Sequence, residues 1–434
     1  MALGGGSFIA QNKSLPGAYM NFVNAARASA VLSDRGIATM PLVLDWGPED
    51  EIFTVTSADF FKNSAAWFGY DYGHEKLKGL RELFLNIRSG LFYRLNAGGD
   101  RASNLFATAL YGGERGNDLT VVIAAAEAGG FVVTTLLDGA SVDRQTVSAA
   151  SELQQNSFVR FHEEEPLEVT AGTPLVGGTD GGAVTAAAYQ RYLDAVEPYS
   201  FHTMGCVATE ETVKSLLVGF TRRMRDEGGV KFQTVLFRPQ NADHEGIIAV
   251  ENGLKGAPGE SAAVYWVTGA EAGCAVNQSL TNALYAGTFD IDTAYTQAEL
   301  EAGLKAGRLM LHRVGDEVRV LEDINSFVSV TDTKSADFGS NQTMRVLDQI
   351  GNDIAALFAA KYLGRVPNDE AGRISLWNDI VRHHQQLQTL RAIEDFASDD
   401  VSIEVGETKR AVVVTESVTP VSAMTQLYMT VVVE

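Results

Sequence analysis

Histidine is the side chain most able to bind a metal or to act as a general base, and this 434-residue chain contains seven of them. None lies in the H-E-x-x-H pattern that places two imidazoles and a carboxylate on one helix face. His383 and His384 are adjacent, so on a helix they point about 100° apart and do not easily share one metal. The sequence therefore predicts packing or surface roles for the histidines and no metal site.

Two further patterns could support chemistry on a phosphate or a calcium ion. Residues 177–182 are rich in glycine, but they lack the lysine followed by serine or threonine that completes a phosphate-binding loop. The acidic residues Asp395, Asp399 and Asp400 lack the spacing and the glycine of a calcium-binding loop. We therefore predict a tight turn at a domain boundary for the first pattern, a solvated turn for the second, and no cofactor.

A hydrolase would need an activated nucleophile. The chain lacks the G-x-S-x-G sequence that exposes the serine of many α/β hydrolases. Ser215 falls inside a predicted helix, and Ser279 lies just past one. We expect a protein that is not an enzyme, although a catalytic triad is defined by geometry, so an unrecognised hydrolase stays open as an alternative.

The composition is that of a globular protein with a large acidic excess. The hydrophobic fraction is 45% and the net charge is −21, which argues against a main role in binding nucleic acid. No apolar run approaches the roughly 20 residues of a membrane span, and residues 1–6 lack the basic start of a signal peptide. Cys206 and Cys274 lie in apolar surroundings and are expected to be buried, reduced thiols of a cytosolic protein.

Two amphipathic helices and a hairpin are predicted before the C-terminus. Apolar side chains recur every three or four residues over 347–358 and again over 376–390. Gly364 lies between them, where a left-handed helix cap is expected. Residues 401–405 and 410–415 alternate as two strands of a hairpin.

Both ends of the chain have the pattern of extended strands with little core of their own. Residues 18–23 alternate after a Pro-Gly turn, and residues 426–434 form a strong β-segment. Because a bare strand leaves unpaired backbone groups, we expect both arms to pair with other subunits; a frayed terminus is the alternative for the first. The expected contact residues are Phe8, Ile9, Tyr19, Met20 and Phe22 in the N-terminal arm, and Leu427, Tyr428, Met429, Val431 and Val433 in the C-terminal arm.

Helix and strand patterns divide the chain between these arms. Short strands with regularly spaced turns predict a small β-sandwich inserted into an α/β domain, whose alternating strands and helices predict a mostly parallel sheet. The predicted boundaries are 1–28 for the N-terminal arm, 29–100 and 178–327 for the two parts of the α/β domain, 101–177 for the sandwich, 328–422 for a C-terminal α+β domain, and 423–434 for the C-terminal arm.

Seven short motifs, in order along the whole chain, resemble those of tail sheath proteins from contractile phage tails and phage-derived contractile particles. They are Pro16–Tyr19, Trp46–Pro48, Tyr111–Leu119, Leu175–Gly181, Ser279–Asn282, Val320–Phe327 and Pro367–Asn368. Each motif alone is weak, but the seven in the right order are specific. The β-insertion is short, and the chain has no room for the outer domains of larger sheath proteins.

The resemblance implies a subtilisin-like α/β middle domain without catalysis, with the β-sandwich inserted in it. It implies a structural subunit that polymerises helically around an inner tube, exchanges strands with its neighbours through both arms, and contracts to drive the tube through a bacterial envelope. The implied partners are further copies of the chain, the inner tail tube protein, and baseplate and tail terminator proteins. Assembly is expected in the bacterial cytoplasm, into a virion tail or a released particle such as a bacteriocin, without nucleic acid binding or direct membrane insertion.

The contact with a tube has to break during contraction, so a polar and charged patch is expected on the C-terminal helices. The candidates are Lys361, Arg365, Arg373 and Arg382. The alternative for each is an ordinary solvated charge, because these helices carry Asp348, Asp353 and Asp379 in similar number. A further alternative for the whole chain is a monomeric module that binds carbohydrate through the sandwich.

Overall fold

The computed structural model describes residues 32–256 and 259–433 of the chain. These residues divide into two compact units, a larger one of residues 35–345 with 422–433 and a smaller one of residues 32–34 with 346–421. The predicted N-terminal arm, with Phe8, Ile9, Tyr19, Met20 and Phe22, lies outside the described residues. Within the described ranges, no helix is both long enough and apolar enough to cross a membrane.

The larger unit alternates strands and helices. Its strands are β1 (Ile37–Leu42), β2 (Phe53–Thr56), β3 (Ser89–Arg94), β4 (Ala107–Ala109), β5 (Leu119–Ala125), β6 (Phe131–Leu137), β7 (Ala140–Val147), β8 (Val159–Phe161), β9 (Thr170–Pro174), β10 (Thr203–Cys206), β11 (Gln233–Phe237), β12 (Ile247–Val250), β13 (Arg308–Leu309), β14 (Leu311–Val314) and β15 (Glu317–Val320). Its helices are α1 (Ser57–Phe68), α2 (Lys78–Phe84), α3 (Ala186–Val196), α4 (Glu211–Arg222), α5 (Ala263–Gly273) and α6 (Gln297–Lys305).

A seven-stranded sheet, ordered β13-β12-β11-β10-β1-β3-β2, lies at the centre of this unit. Its strands pair in parallel except β2, which is antiparallel to β3 at one edge. The central strand β1 pairs with β3 and with the distant β10, where Ala38 is opposite Thr203. Parallel strands are covered on both faces, which explains why β10, β11 and β12 are buried along their whole length.

Two cores cover the two faces of this sheet. In β3, Phe92 joins a core that includes side chains of α2 and α5, whereas Leu91 and Tyr93 join a second core with α3 and α4. Successive side chains of a strand point to opposite faces, so one short segment contributes to both cores. The result is the α/β organisation expected from the alternating pattern.

Residues 107–174 form the predicted β-sandwich. Strands β5, β6 and β7 are consecutive antiparallel neighbours, and β9 pairs with the free side of β5. Strands β4 and β8 form a second, two-stranded sheet. Leu119, Val121 and Ile123 of β5 share one core with Val159 of β8, so the two sheets pack face to face.

The smaller unit contains helix α7 (Asn341–Leu357) from Val346 onward, helix α8 (Glu370–Thr389), and strands β16 (Ile393–Glu394), β17 (Val401–Val405), β18 (Val412–Glu416) and β19 (Thr419–Pro420). Gly364 between the helices has φ of +67°, as expected for a left-handed helix end. Trp377 of α8 donates its indole N–H to the carbonyl of Val401 at 2.9 Å, which fixes the helix against the β17–β18 hairpin.

Candidate interaction surface

The C-terminal arm is the largest run of exposed apolar side chains in the described part of the chain. Leu427, Tyr428, Met429, Val431 and Val433 have exposed fractions of 85%, 88%, 75%, 70% and 89%. Residues 421–433 have no β-ladder to any described residue, so the strand expected here is not formed within the single chain. A ladder needs a second strand, and the segment leaves its side chains and backbone available for one.

The start of this arm is nevertheless fixed. The backbone N–H of Ala423 donates to Oε1 of the buried Gln342 at 2.9 Å. Ser422, Ala423 and Thr425 line a groove of 400 Å³ together with Gln342, residues 322–325 and residues 327–328. The exposed residues therefore extend from a defined point on the larger unit.

A second unpartnered β-surface lies in the smaller unit. Strands β17 and β18 form a two-stranded sheet, from the pair Val401–Glu416 to the pair Val405–Val412. Neither outer edge is paired with another strand among the described residues. Val405 and Val413 are 54% and 49% exposed. A hairpin of two strands is only marginally stable alone, and its edges can accept further strands.

Two of the four cationic candidates are committed to one buried carboxylate. Lys361 Nζ lies 2.5 Å from Asp379 Oδ2, and the hydrogen bond to Asp379 raises the pKa of Lys361. Arg382 Nη1 lies 3.8 Å from the other oxygen of Asp379, whose side chain is only 4% exposed. Tyr362 also donates its hydroxyl to Asp379, at 2.5 Å. Lys361 therefore has a structural partner, while Arg382 remains largely exposed.

The other two candidates carry charge that no carboxylate in the described part of the chain neutralises. Arg365 is exposed and donates to the carbonyl of Ala360 at 2.6 Å. Arg373 donates to the backbone and side-chain oxygens of Asn368, both at 3.2 Å. Neither guanidinium forms an ion pair with a described residue. The sequence alone does not separate these two arginines from Lys361, which does form an ion pair.

The adjacent histidines bind different carboxylates. His383 Nε2 lies 3.0 Å from Asp353 Oδ2, and His384 Nε2 lies 3.3 Å from Glu416 Oε2. Both imidazoles are fully buried, with 3.4 Å between their Nδ1 atoms. They connect α8 to α7 and to strand β18, which is a packing role.

Asp226, His244 and Glu245 form a cluster that the sequence patterns did not indicate. Their potential ligand atoms lie within 4.8 Å of one another, the geometry of a possible metal site. However, His244 Nδ1 accepts the N–H of Gly246 at 2.9 Å, which leaves the ring proton on Nε2, 3.2 Å from Asp226. A metal ligand must be unprotonated, and Lys334 already pairs with Glu245 at 2.6 Å. The geometry favours an ionic network over a metal centre.

The glycine-rich run does not expose a cradle of backbone amides. The N–H of Gly178 donates to Asn117 Oδ1 at 2.8 Å, and that of Thr179 donates to the carbonyl of Asp100 at 3.1 Å. A Cβ at Gly181 would collide with the carbonyl oxygen of Asn96, so glycine is needed for close backbone approach. Residues 177–182 have no turn or regular secondary structure, so the predicted tight turn is not formed; the run is irregular backbone packed closely against other segments.

Neither candidate nucleophile is hydrogen-bonded to a histidine in the described part of the chain. Ser215 lies exposed on α4. Ser279 Oγ lies 3.1 Å from Thr281 Oγ1 and 3.4 Å from Asp323 Oδ2. These contacts cap a turn and do not activate a serine for attack.

Three of the seven motifs meet at Arg94, a charged residue at the end of the buried strand β3. Its fully buried guanidinium donates through Nη1 to the carbonyl oxygens of Gly112, at 2.7 Å, and Gly47, at 3.3 Å. Glu49 Oε1 lies 3.1 Å from Nη1, and Asp180 Oδ1 lies 4.0 Å from Nη2. The planar guanidinium thus connects the Trp-Gly-Pro segment, the start of the sandwich and the glycine-rich run.

The chain matches known protein families along most of its length. Four family descriptions match in succession: the tail sheath protein Gp18 domain III N-terminal region over residues 35–89, the phage tail sheath β-sandwich domain over 93–180, the sheath central domain over 182–326, and the sheath C-terminal domain over 333–434. The chain belongs to the phage tail sheath protein family. The resemblance of the seven motifs is therefore confirmed.

Individual relatives match along nearly the whole chain. The phage-like element PBSX protein XkdK of Bacillus subtilis is 32% identical over 98% of this chain and 99% of its own length. The crystal structure of a sheath tail protein from Desulfitobacterium hafniense is 35% identical, with a TM-score of 0.79, and covers 94% of this chain and 98% of its own. The anti-feeding prophage sheath in its contracted state shares the fold at 12% identity, with a TM-score of 0.57 over 96% of this chain and 99% of its own.

Proposed function

We propose that this tail sheath protein is the contractile subunit of a phage tail or phage-like particle, which polymerises helically around an inner tube. The observation that carries the proposal is the exposed apolar C-terminal arm in a chain of this family. Monomeric proteins rarely expose such a patch, and a β-prone segment without a partner is suited to pairing with another copy. The contact between different surfaces of identical subunits generates a helix when it does not close into a ring.

The β17–β18 hairpin is the proposed acceptor for arms from neighbouring subunits. It offers two unpaired edges, and the exposed Val405 and Val413 lie where an added strand could cover them. Adding strands enlarges a marginal two-stranded sheet, so donor and acceptor stabilise one another. Because these backbone hydrogen bonds need not break, subunits could swing about the fixed root at Ala423 during contraction while staying connected.

The proposed tube contact uses the uncompensated guanidinium groups of Arg365 and Arg373, with Arg382 as a weaker candidate. A charged contact in water is weak enough to release when larger sheath contacts form. A local cationic patch on a chain of net charge −21 also favours one orientation of docking. Lys361 contributes to the fold through its ion pair with Asp379, so we leave it out of the proposed tube contact.

The seven-stranded sheet is the proposed subtilisin-like core, used as a scaffold without catalysis. The proposed partners, besides the tube, are baseplate and tail terminator proteins. Assembly would occur in the bacterial cytoplasm and precede incorporation into a virion tail or release of the particle.

The direct test is negative-stain electron microscopy of the full chain, alone and with its tube protein. We expect hollow, striated sleeves from the full chain and dispersed, folded subunits from a chain lacking residues 426–434. A variant with those residues replaced by a Gly-Ser sequence of equal length controls for length. Normal sleeves from the truncated chain would refute the arm mechanism while leaving the sheath function intact.

Failure of the full chain to assemble even with the tube would reject the sheath function. In that case, covalent labelling of one serine by a serine-reactive probe would support the hydrolase alternative. Glycan binding by a monomer would support the binding-module alternative.

A further inference from the structure

Three ionisable side chains meet in the interior of the larger unit. Arg345, in the first turns of α7, places Nη2 2.7 Å from Glu271 Oε2 on α5 and 3.2 Å from Asp323 Oδ2 in the loop after β15. All three side chains are only 1% exposed. This buried cluster connects α5, the β15 loop and the start of α7.

The charges of this cluster do not balance if every group is ionised. Two carboxylates and one guanidinium leave a net charge of −1 out of contact with water, which is strongly unfavourable. The guanidinium of Arg35 is directed to the backbone oxygens of Glu271 and Cys274, at 3.0 and 2.8 Å. Burial raises the pKa of the Cys274 thiol to about 11, so this group is neutral and adds no further negative charge.

Hydrogen bonding shows where a proton is missing. Asp323 Oδ2 accepts the N–H of Leu280 at 2.9 Å as well as a hydrogen bond from Arg345, but the buried Oδ1 has no donor among the described residues. Each carboxyl oxygen of Glu271 already accepts one hydrogen bond, from Arg345 Nη2 at 2.7 Å and from Asn341 Nδ2 at 3.1 Å. A carboxylic acid proton on Glu271 would satisfy Asp323 Oδ1 and remove the excess charge together.

The titration behaviour agrees with this geometry. Burial, followed by the charge of Asp323, raises the pKa of Glu271 to about 8, although Arg345 opposes the shift. Burial also disfavours ionised Asp323, but Arg345 and the hydrogen bond from Glu271 outweigh that effect and lower the pKa of Asp323 below its ordinary value. One carboxyl of the pair is thus the acid and the other the carboxylate.

We propose that Glu271 is held as a neutral acid whose proton is shared with Asp323, and that this proton stabilises the first turn of α7 in a pH-dependent way. Asn341 links the helix to the same cluster, because its Oδ1 accepts from Gln233 Nε2 of β11 at 2.8 Å while its Nδ2 donates to Glu271. Loss of the proton leaves a buried negative charge where α7 begins. The contacts of residues 341–345 with the sheet are then weakened.

The sign of the pH dependence follows from the proton count. The unfolded chain releases the Glu271 proton near the ordinary glutamate value of about 4.3, whereas the folded chain keeps it up to about pH 8. Stability from this group is therefore fully present below about pH 4 and falls as pH rises toward 8, by about tenfold in the unfolding equilibrium per pH unit. Above that range the contribution is lost.

The test is a pH series of denaturant unfolding for the wild type, Glu271→Gln and Asp323→Asn. Glutamine keeps the size of the acid, one carbonyl acceptor and an N–H donor for Asp323, but it cannot ionise. Asparagine leaves one carboxylate for one guanidinium, so Glu271 ionises beside Arg345. We expect both variants to lose the one-proton slope between pH 5 and 8, which is about tenfold per unit in the ratio of wild-type to variant unfolding constants. An unchanged slope in Glu271→Gln would overturn the proposal.

Infrared spectroscopy of the folded wild type gives a second measurement that does not depend on the variants folding. A buried carboxylic acid has a C=O stretching band separate from carboxylate bands. We expect this band at pH 7, its loss as the pH is raised past 8, and faster amide exchange at residues 341–345 over the same range after correction for intrinsic exchange. Absence of an acid band from the wild type at pH 7 would refute the neutral Glu271.

Discussion

The side-chain oxygen Oε1 of Gln342 accepts the backbone N–H of Ala423 at 2.9 Å, so a buried glutamine on α7 sets the point from which the C-terminal arm departs. This contact joins residues 81 positions apart in the sequence. An arm that must reach a strand edge on another subunit benefits from a defined origin, because fewer conformations are lost on pairing.

Removing this anchor should weaken assembly more than folding. We expect Gln342→Ala to lower stability by about 1 kcal/mol, the usual net value of one hydrogen bond, and to slow sleeve formation measured by light scattering. The control is Gln297→Ala, which removes an exposed contact to Glu301 on α6. Equal assembly rates for Gln342→Ala and the control would show that the arm origin need not be fixed.

Proline in the arm should block assembly through the loss of one backbone donor. We expect Val431→Pro to leave the folded subunit unchanged, because Val431 is 70% exposed, and to prevent or greatly reduce sleeves. An unsatisfied partner carbonyl costs about 1–3 kcal/mol at each copy of the contact. The matched control, Val431→Thr, retains β-branching and the N–H, and electron microscopy compares the two. Full assembly of Val431→Pro would mean that this residue is not in a ladder.

Arg94 should be important for stability although it contacts no proposed partner. We expect Arg94→Met to cost about 3–5 kcal/mol, since it removes the cation beside Glu49 and leaves the Gly47 and Gly112 carbonyls without their donor. Arg94→Lys should not restore stability, because an ammonium cannot reproduce the planar fork.

Chemical denaturation measures this effect. The control is Arg223→Met, which breaks an exposed ion pair with Glu197 and should change stability by about 1 kcal/mol or less. Similar losses for Arg94→Met and Arg223→Met would contradict a joining role for Arg94.

The cationic candidates should separate into two classes when charge is reversed. We expect Arg365→Glu and Arg373→Glu to weaken binding to the tube protein by about tenfold at low salt, with a smaller difference at high salt. Arg191→Glu on α3 makes the same charge change on an exposed site of the larger unit. Binding to immobilised tube checks this, and equal effects of all three variants would indicate only a dependence on net charge.

Lys361→Gln should instead lower stability, because buried Asp379 would lose its ion pair, 2.5 Å away. We expect its tube affinity to remain close to that of the wild type once the measurement is made well below its unfolding midpoint. A selective loss of tube binding with unchanged stability would show that Lys361 takes part in the contact with the tube.

The sequence was most informative where periodicity is local and continuous. Helix α8 covers most of the segment 376–390 whose apolar spacing predicted a helix, and strands β17 and β18 form the predicted hairpin. Helix α1 was not predicted, because its aromatic residues Phe60, Phe61 and Phe68 obscure the helical period and Asn63 departs from helical angles. Its start was visible in principle, since Thr56 caps the backbone of Asp59 in the expected three-residue spacing.

Contacts between distant residues were the part that sequence reasoning could not supply. Arg94 lies in an otherwise apolar stretch of sequence, and its partners Gly47, Gly112 and Asp180 come from three separate segments. A charged residue inside an apolar stretch indicates that the charge has a buried partner, but the sequence does not show which residue that partner is. The C-terminal arm was identifiable from its β-propensity, whereas its anchor Gln342 had no distinguishing pattern.

The order of strands in the central sheet also constrains how the chain folds. Strand β1 pairs with β10, and in the sequence the whole sandwich lies between the paired residues Ala38 and Thr203. The hairpins of β5, β6 and β7 close over short loops, so the sandwich can form early, while the sheet around it must wait for a long loop to close. We therefore expect slow, multi-phase refolding, in which the inserted sandwich reaches its native state before the scaffold that encloses its ends.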